Sequence, residues 1–310
     1  MTQSNSSHDQ GNNTYILDVE SSLEMARLLD QDKVITEGMG GIFPEREDED
    51  LTGISRILDV ACGPGGWVHE VAHTYPHIKV VGIDISKNTI NYARAHAHVR
   101  KLNNAHFQVM DALKPLDFPD GSFDMVNMRT VAGFVLPHLW PQFLAECKRV
   151  LRPGGILRST ESEAGGTNAL AYGTLLNMFS QALQRLGRSF SPTGHYIGIL
   201  PELRTLLQNA GLQNIQSKAH VIDFSFGMKA HEGMYQDVRL LFELSQPLLL
   251  KTKVTTPEEF ATLYDQAMEE LQSDNFHGLM FLLTIWGEKA GARQFFAESL
   301  GRHAGLRFQG

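Results

Sequence analysis

The sequence predicts an α/β protein built on a seven-stranded, mostly parallel sheet with helices on both faces and helical inserts at one edge. Three observations predict it. Short apolar runs alternate with amphipathic stretches of helical period from Arg56 onward, a glycine-rich turn follows the first of these runs, and two apolar-periodic segments interrupt the alternation late in the chain. The 310 residues carry 27 basic and 35 acidic side chains, for a formal net charge of −8. With 42% hydrophobic residues, the composition is that of a globular chain with a real core, which excludes disordered and fibrous classes.

Arg56 to Ala61, reading RILDVA, forms the first strand, Gly66 to Tyr75 a helix, Lys79 to Ile83 a strand, Lys87 to Leu102 a helix and His106 to Met110 a third strand. Phe123 to Met128 adds a fourth strand. The helix around Pro141 to Leu151 carries its proline in the first turn, and Pro153, Gly154 and Gly155 are expected to stop it before strand Ile156 to Thr160. Leu203 to Ala210 reads as a helix capped at Gly211, and Ile215 to Phe226 and Met280 to Trp286 as the last two strands.

Domain organisation follows from these signals. Residues 1–50 form a flexible tail and a helical lid segment, 51–164 a ligand-binding core, 165–199 a helical cap insert, 200–226 the core continuation, 227–274 a second helical cap insert, and 275–310 the last core strand and a C-terminal tail. In the lid segment Ser21 and Glu24 have capping-box spacing, and Met25, Leu28 and Leu29 share a helix face; a short helix and a hinge at Gly38, Gly40 and Gly41 are expected. The charged tract PEREDED, 44–50, reads as a connector.

The polar stretch Met1 to Asn13 has neither the basic flank nor the apolar run of a secretory signal, and no apolar stretch approaches the roughly 20 residues of a bilayer span. A cytoplasmic chain without a membrane partner is expected. Two cysteines, Cys62 and Cys147, make no disulfide framework, and no metal-ligand spacing is present, so no metal is expected. The acidic balance, with no linear basic stripe, argues against a nucleic-acid partner and for small-molecule chemistry.

The chemistry concentrates in DVACGPGG, Asp59 to Gly66, at a strand end and before a helix. Such a turn lets a ligand approach backbone without Cβ interference. Asp84 closes the next strand, where a carboxylate can take both hydroxyls of a ribose. A nicotinamide dinucleotide fingerprint would need a third glycine where Val68 stands. Asp59 beside the loop suits an ammonium and a sulfonium better than a pyrophosphate.

Taken in order, DVACGPGG, GIDIS, VMDALKPLDFPDGSFDMVNM and RVLRPGGIL resemble the motifs of the class I S-adenosylmethionine-dependent methyltransferases, with their Rossmann-like fold, across Ile54 to Thr160. The small-molecule branch, including quinone-biosynthesis enzymes, is the nearest pattern. The NPPY-like turn of nucleic-acid amino-methyltransferases and protein-glutamine relatives is replaced by Asn127, Met128, Arg129 and Thr130. The resemblance implies S-adenosyl-L-methionine as cofactor, with Ala61, Cys62, Gly63 and Gly65 around its methionine part, Asp84 on the ribose and Ile85 flanking the adenine. It further implies Asp111 on the adenine amino group, Met110 and Ala112 beside that ring, and Met128, Arg129 and Thr130 near the sulfonium. Ala61 stands where many relatives have glycine. Tyr15 and the hinge glycines are expected to close over the cofactor.

The expected reaction is in-line methyl transfer to a small, partly apolar or aromatic metabolite; the alternatives are non-methylating use of the cofactor, such as cyclisation, or cofactor binding without catalysis. His195, His231 and Tyr235 are the candidate bases, chosen because these polar rings lie in the inserts. Phe179, Met178, Phe224, Phe226, Met228 and Met234 are expected to wall an acceptor pocket. The sequence leaves the acceptor and the oligomeric state open.

Overall fold

The computed structural model describes residues 15, 17, 18, 20–46 and 51–291. The tail expected at 1–13, residues 47–50 of the charged tract and residues 292–310 lie outside the described residues. The elements run α1 (Ser22–Met39), β1 (Arg56–Val60), α2 (Gly66–Thr74), β2 (Lys79–Asp84), α3 (Lys87–Val99), β3 (Ala105–Val109), β4 (Phe123–Arg129), α4 (Trp140–Val150), β5 (Leu151–Thr167), α5 (Leu170–Arg185), α6 (Ile199–Asn209), β6 (Leu212–Asp223), α7 (His231–Lys251), α8 (Pro257–Leu271) and β7 (Gly278–Lys289). The sheet order is β3-β2-β1-β4-β5-β7-β6, and β7 runs antiparallel to both its neighbours.

Alternation along the strands explains why both faces are covered. Ile57, Val80 and Met125 point to one side, where they pack with Trp67, Val68 and Val71 of α2 and Ile90 and Ala93 of α3. Their neighbours Leu58, Val81 and Val126 point to the other side, against Phe143 and Leu144 of α4 and Leu203 and Leu207 of α6. A third apolar cluster joins α5, α7 and α8 through Leu175, Phe179, Val238, Phe242, Phe260 and Leu271, and forms the helical cap.

Several expectations change. The Pro153–Gly155 turn does not separate helix from strand: α4 ends at Val150 and β5 starts at Leu151, with a register irregularity between Phe123 and Met125 of β4 absorbing the turn. β5 also runs on to Thr167, because its far end pairs with β7 as far as Gly278, so the first insert begins inside a strand. The lid helix is 18 residues long rather than short, and Gly38 sits within it as a packing position, where a Cβ would come within 2.7 Å of Ile222 on β6. Gly40, at φ 94°, ends the helix. The Ser21 hydroxyl caps α1 by accepting the Glu24 N–H, but the Glu24 side chain turns to Tyr15 and Arg27 instead of completing the capping box.

A polar row crosses the sheet centre in register, Asp59 opposite Asn127 and Asn127 opposite Arg158. Asn127 Nδ2 donates to Asp59 Oδ1 at 2.7 Å, Arg158 Nη1 donates to Asn127 Oδ1 at 2.7 Å, and Arg158 pairs with both Glu45 oxygens, at 2.6 and 3.1 Å. The Arg158 side chain is only 1% exposed and that of Glu45 3%. Removing one partner of such a pair strands a buried charge, so Arg158→Met is expected to cost about 3–5 kcal/mol. Adding Glu45→Leu should recover most of that loss in denaturant unfolding; no recovery in the double variant would show that the pair is not what Arg158 serves.

Candidate active site at the switch point of the sheet

Strand order reverses between β1 and β4, so their carboxyl ends diverge and leave a crevice, the place where open α/β sheets bind ligands. The glycine-rich turn after β1 lies there. Ala61 adopts a left-handed conformation, φ 56°, which costs about 1–2 kcal/mol for a residue with a Cβ. Cys62 N–H donates to Ile83 O at 2.9 Å, and Gly63 N–H donates to Asp84 Oδ2 at 3.0 Å. Asp84 thus fastens the turn to β2. Its Oδ1 accepts the Ser86 N–H at 2.9 Å. Asp84 is no helix cap, since Ser86 caps α3 with its own hydroxyl.

The crevice is lined by Tyr15, Ala61, Gly63, Asp84, Ile85, Met110, Asp111, Ala112, Arg129 and Thr130, ten of the expected residues. A contiguous recess beneath α1 takes in Asp59 and Cys62 with Gly63 and Arg129. Two expected residues do not reach it. Gly65, at φ 83°, faces the core, where a Cβ would come within 2.6 Å of Phe107; its role is close helix–strand packing. Met128 is fully buried between the sheet and its helices. Cys62 packs its sulfur toward Gly82, and burial with the Asp84 and Asp59 charges pushes its thiol far up, away from nucleophilic chemistry.

Arg129 forms an ion pair with Asp32 of α1 and donates to Thr36 Oγ1 at 2.9 Å. Sequence reasoning missed Asp32, and it missed Glu24, Leu28, Thr89 and Phe134, which also line the crevice. Burial pushes the Asp59 carboxyl up to about 7, against the Asn127 hydrogen bond and the Arg158 charge. Asp84 is also raised, by burial against its backbone N–H bonds.

Beyond Thr130 lies a second, mostly apolar chamber of about 200 Å³. Its walls include Tyr172, Leu176, Phe179, Phe224, Met234 and Val238, and its floor Glu161 and Glu163 of β5. Of the expected wall, Phe226 and Met228 are instead exposed, and Met178 packs in the cap. None of the candidate bases lines it. His195 is exposed, His231 Nδ1 sits 3.1 Å from Phe224 O with its ring on Phe226 and Phe276, and Tyr235 packs in the cap. Sequence reasoning missed these carboxylates although the signal was present: two glutamates two residues apart on one strand share one side of it.

Residues 57–155 match the family described as "Methyltransferase domain". The match covers about a third of the chain. Relatives include demethylmenaquinone methyltransferases of Deinococcus radiodurans, 34% identical over 47% of this chain and 59% of that protein, and of Lactococcus lactis, 38% identical over 34% and 41%. A fatty-acid O-methyltransferase of Mycolicibacterium smegmatis is 34% identical over 34% of this chain and 37% of its own length. The chain therefore spans less than two thirds of these relatives. A solved structure from Bacillus halodurans C-125 aligns with a TM-score of 0.49 at 19% identity, over 84% of this chain and 99% of that one.

The crevice fits, chemically, the S-adenosylmethionine that the sequence resemblance implies. Asp84 keeps acceptor capacity for ribose hydroxyls, Asp59 offers a carboxylate for an ammonium, and Ile85, 39% exposed, gives an apolar face beside Asp84 for a base. Asp111 already accepts the Leu113 N–H at 3.0 Å and pairs with Lys114. Among the described residues no cluster of three potential metal ligands occurs, and no helix is long and apolar enough to cross a membrane.

Asp84→Ala is expected to weaken S-adenosylhomocysteine binding by about 1.5–3 kcal/mol, or roughly 10- to 150-fold, by calorimetry. Unchanged affinity would remove Asp84 from the site. Because the ligand's ammonium favours ionised Asp59, affinity should rise as pH goes from 5.5 to 7.5 and level off above. Asp59→Asn should bind more weakly and with a shallower slope; an unaltered slope would assign the titration to another group.

Proposed function

We propose that this chain transfers the methyl group of S-adenosylmethionine to a small, partly apolar metabolite. The observation that carries this reading is the junction of the two cavities: Tyr15, Leu28 and Thr130 line both the cofactor crevice and the apolar chamber. An acceptor in the chamber would meet the cofactor across Thr130. Relatives named demethylmenaquinone methyltransferase and fatty-acid O-methyltransferase support an apolar acceptor.

The cofactor supplies an activated methyl on sulfur, so the chain's own work is alignment, exclusion of water and disposal of a proton. Alignment falls to Thr130, held at φ 52° by its N–H bond to Thr160 O at 2.8 Å. Water is excluded by α1, whose Leu28 lies over the glycine turn. The helix is tied to the cap through Arg27, which pairs at 2.7 Å with Glu24 and with Asp237 of α7. Tyr15 donates to Glu24 Oε1 at 2.6 Å and extends that tie to the segment before α1.

Incubation with methyl-labelled cofactor and an apolar metabolite extract should yield a labelled product and S-adenosylhomocysteine; no turnover across varied extracts contradicts the reading. Leu176→Trp, which fills the chamber, should raise KM for that acceptor about tenfold or more while S-adenosylhomocysteine affinity stays within twofold. Equal KM in the variant would move the acceptor site elsewhere.

A further inference from the structure

The chamber's floor is more informative than its walls. Glu161 is 1% exposed, and its oxygens accept the N–H groups of Val131 at 2.9 Å and Ala132 at 3.2 Å, the turn that leaves Thr130. It is therefore fixed in the chamber lining beside the turn that leaves Thr130, and each oxygen keeps a further lone pair. Glu163, two residues on, accepts from Ile197, Gly198 and Ile199 at 2.9, 2.5 and 3.0 Å, so its acceptor capacity serves the start of α6. Around Glu161 the ionisable groups of the lining are Glu163 on the same strand, Arg27 of α1, Asp237 of α7, Tyr15 and Tyr172 of α5. Arg27 is taken up by Glu24 and Asp237. Among the described residues no cation of the lining is left for an anionic ligand.

Resting on the methyl-transfer reading, we infer that the acceptor is an apolar molecule with an uncharged hydroxyl head group, and that Glu161 receives the hydroxyl proton. The acceptor oxygen's lone pair forms the O–CH3 bond as the S–CH3 bond breaks; the O–H electron pair stays on oxygen and the proton passes to the Glu161 carboxylate. An ether, S-adenosylhomocysteine and protonated Glu161 result. Carboxylate or phosphate acceptors are disfavoured, since burying an anion beside two carboxylates without a partner is costly. Burial and the Glu163 charge push the Glu161 carboxyl up to about 8, against its two backbone N–H bonds, which suits a group that takes a proton near neutrality.

The test uses a matched series, 4-butylphenol, 4-butylanisole and 4-butylbenzoate, titrated into the S-adenosylhomocysteine-loaded chain at pH 8. The phenol should bind at least tenfold more tightly than the other two. Benzoate binding as tightly as phenol overturns the charge argument, anisole binding as tightly overturns the hydrogen bond to Glu161, and failure of the phenol to bind overturns the acceptor class. Failure to load S-adenosylhomocysteine overturns the methyl-transfer reading itself.

Glu161→Gln should narrow the preference for phenol over benzoate at least threefold, whereas Glu161→Asp, which keeps the charge, should retain it. The free wild-type chain should lose stability as pH rises from about 4.5 to 8, because the folded state holds a proton that the unfolded state releases; Glu161→Gln should remove that part of the slope. An identical preference and an identical slope in Glu161→Gln would exclude the carboxylate from the site.

Discussion

The structure depends on a buried carboxylate held by its neighbours in the sheet. Asp59 sits at the carboxyl end of a central strand, 4% exposed, where a lone charge would be expelled or neutralised. Asn127 spans Asp59 and Arg158, and Arg158 is balanced by Glu45. The four side chains form one connected set, each positioned by strand register or by the segment after α1. That set fixes a carboxylate under the glycine turn, and the turn, fastened by Asp84, fixes the crevice.

A second buried polar group gives the lid its attachment. The Tyr15, Glu24, Arg27 and Asp237 set places two carboxylates and one guanidinium where apolar packing would be simpler. Its value is geometric: Arg27 is held bidentate by Glu24 of the same helix, which leaves Nη1 aimed at Asp237 of α7 and ties the two helices at that point. Because α1 also carries Leu28 and the Asp32 partner of Arg129, the register of the lid decides the shape of both cavities.

Much of the fold was legible because it is written locally. Apolar runs, Ser86 before α3 and Gly211 after α6 mark element ends in the sequence itself, and Asp59, Gly63 and Asp84 lie within short motifs. What stayed hidden depends on long-range pairing. Nothing near Arg158 announces that it faces Glu45, 113 residues earlier, or that Arg27 meets Asp237, 210 residues later. The last residues of β5 are strand through their pairing with β7. Histidines and a tyrosine of the cap are legible as candidate bases by residue type, but their orientation is not legible; the cavity lining instead offers Glu161, which is held by a turn 30 residues before it.

The most direct measurement is a crystal structure of the chain with S-adenosylhomocysteine. The account predicts ribose hydroxyls within hydrogen-bond distance of Asp84, the amino group beside Asp59 and the sulfur turned toward Thr130 and the apolar chamber. A nucleoside lodged away from Asp84, or a sulfur facing away from that chamber, would contradict it.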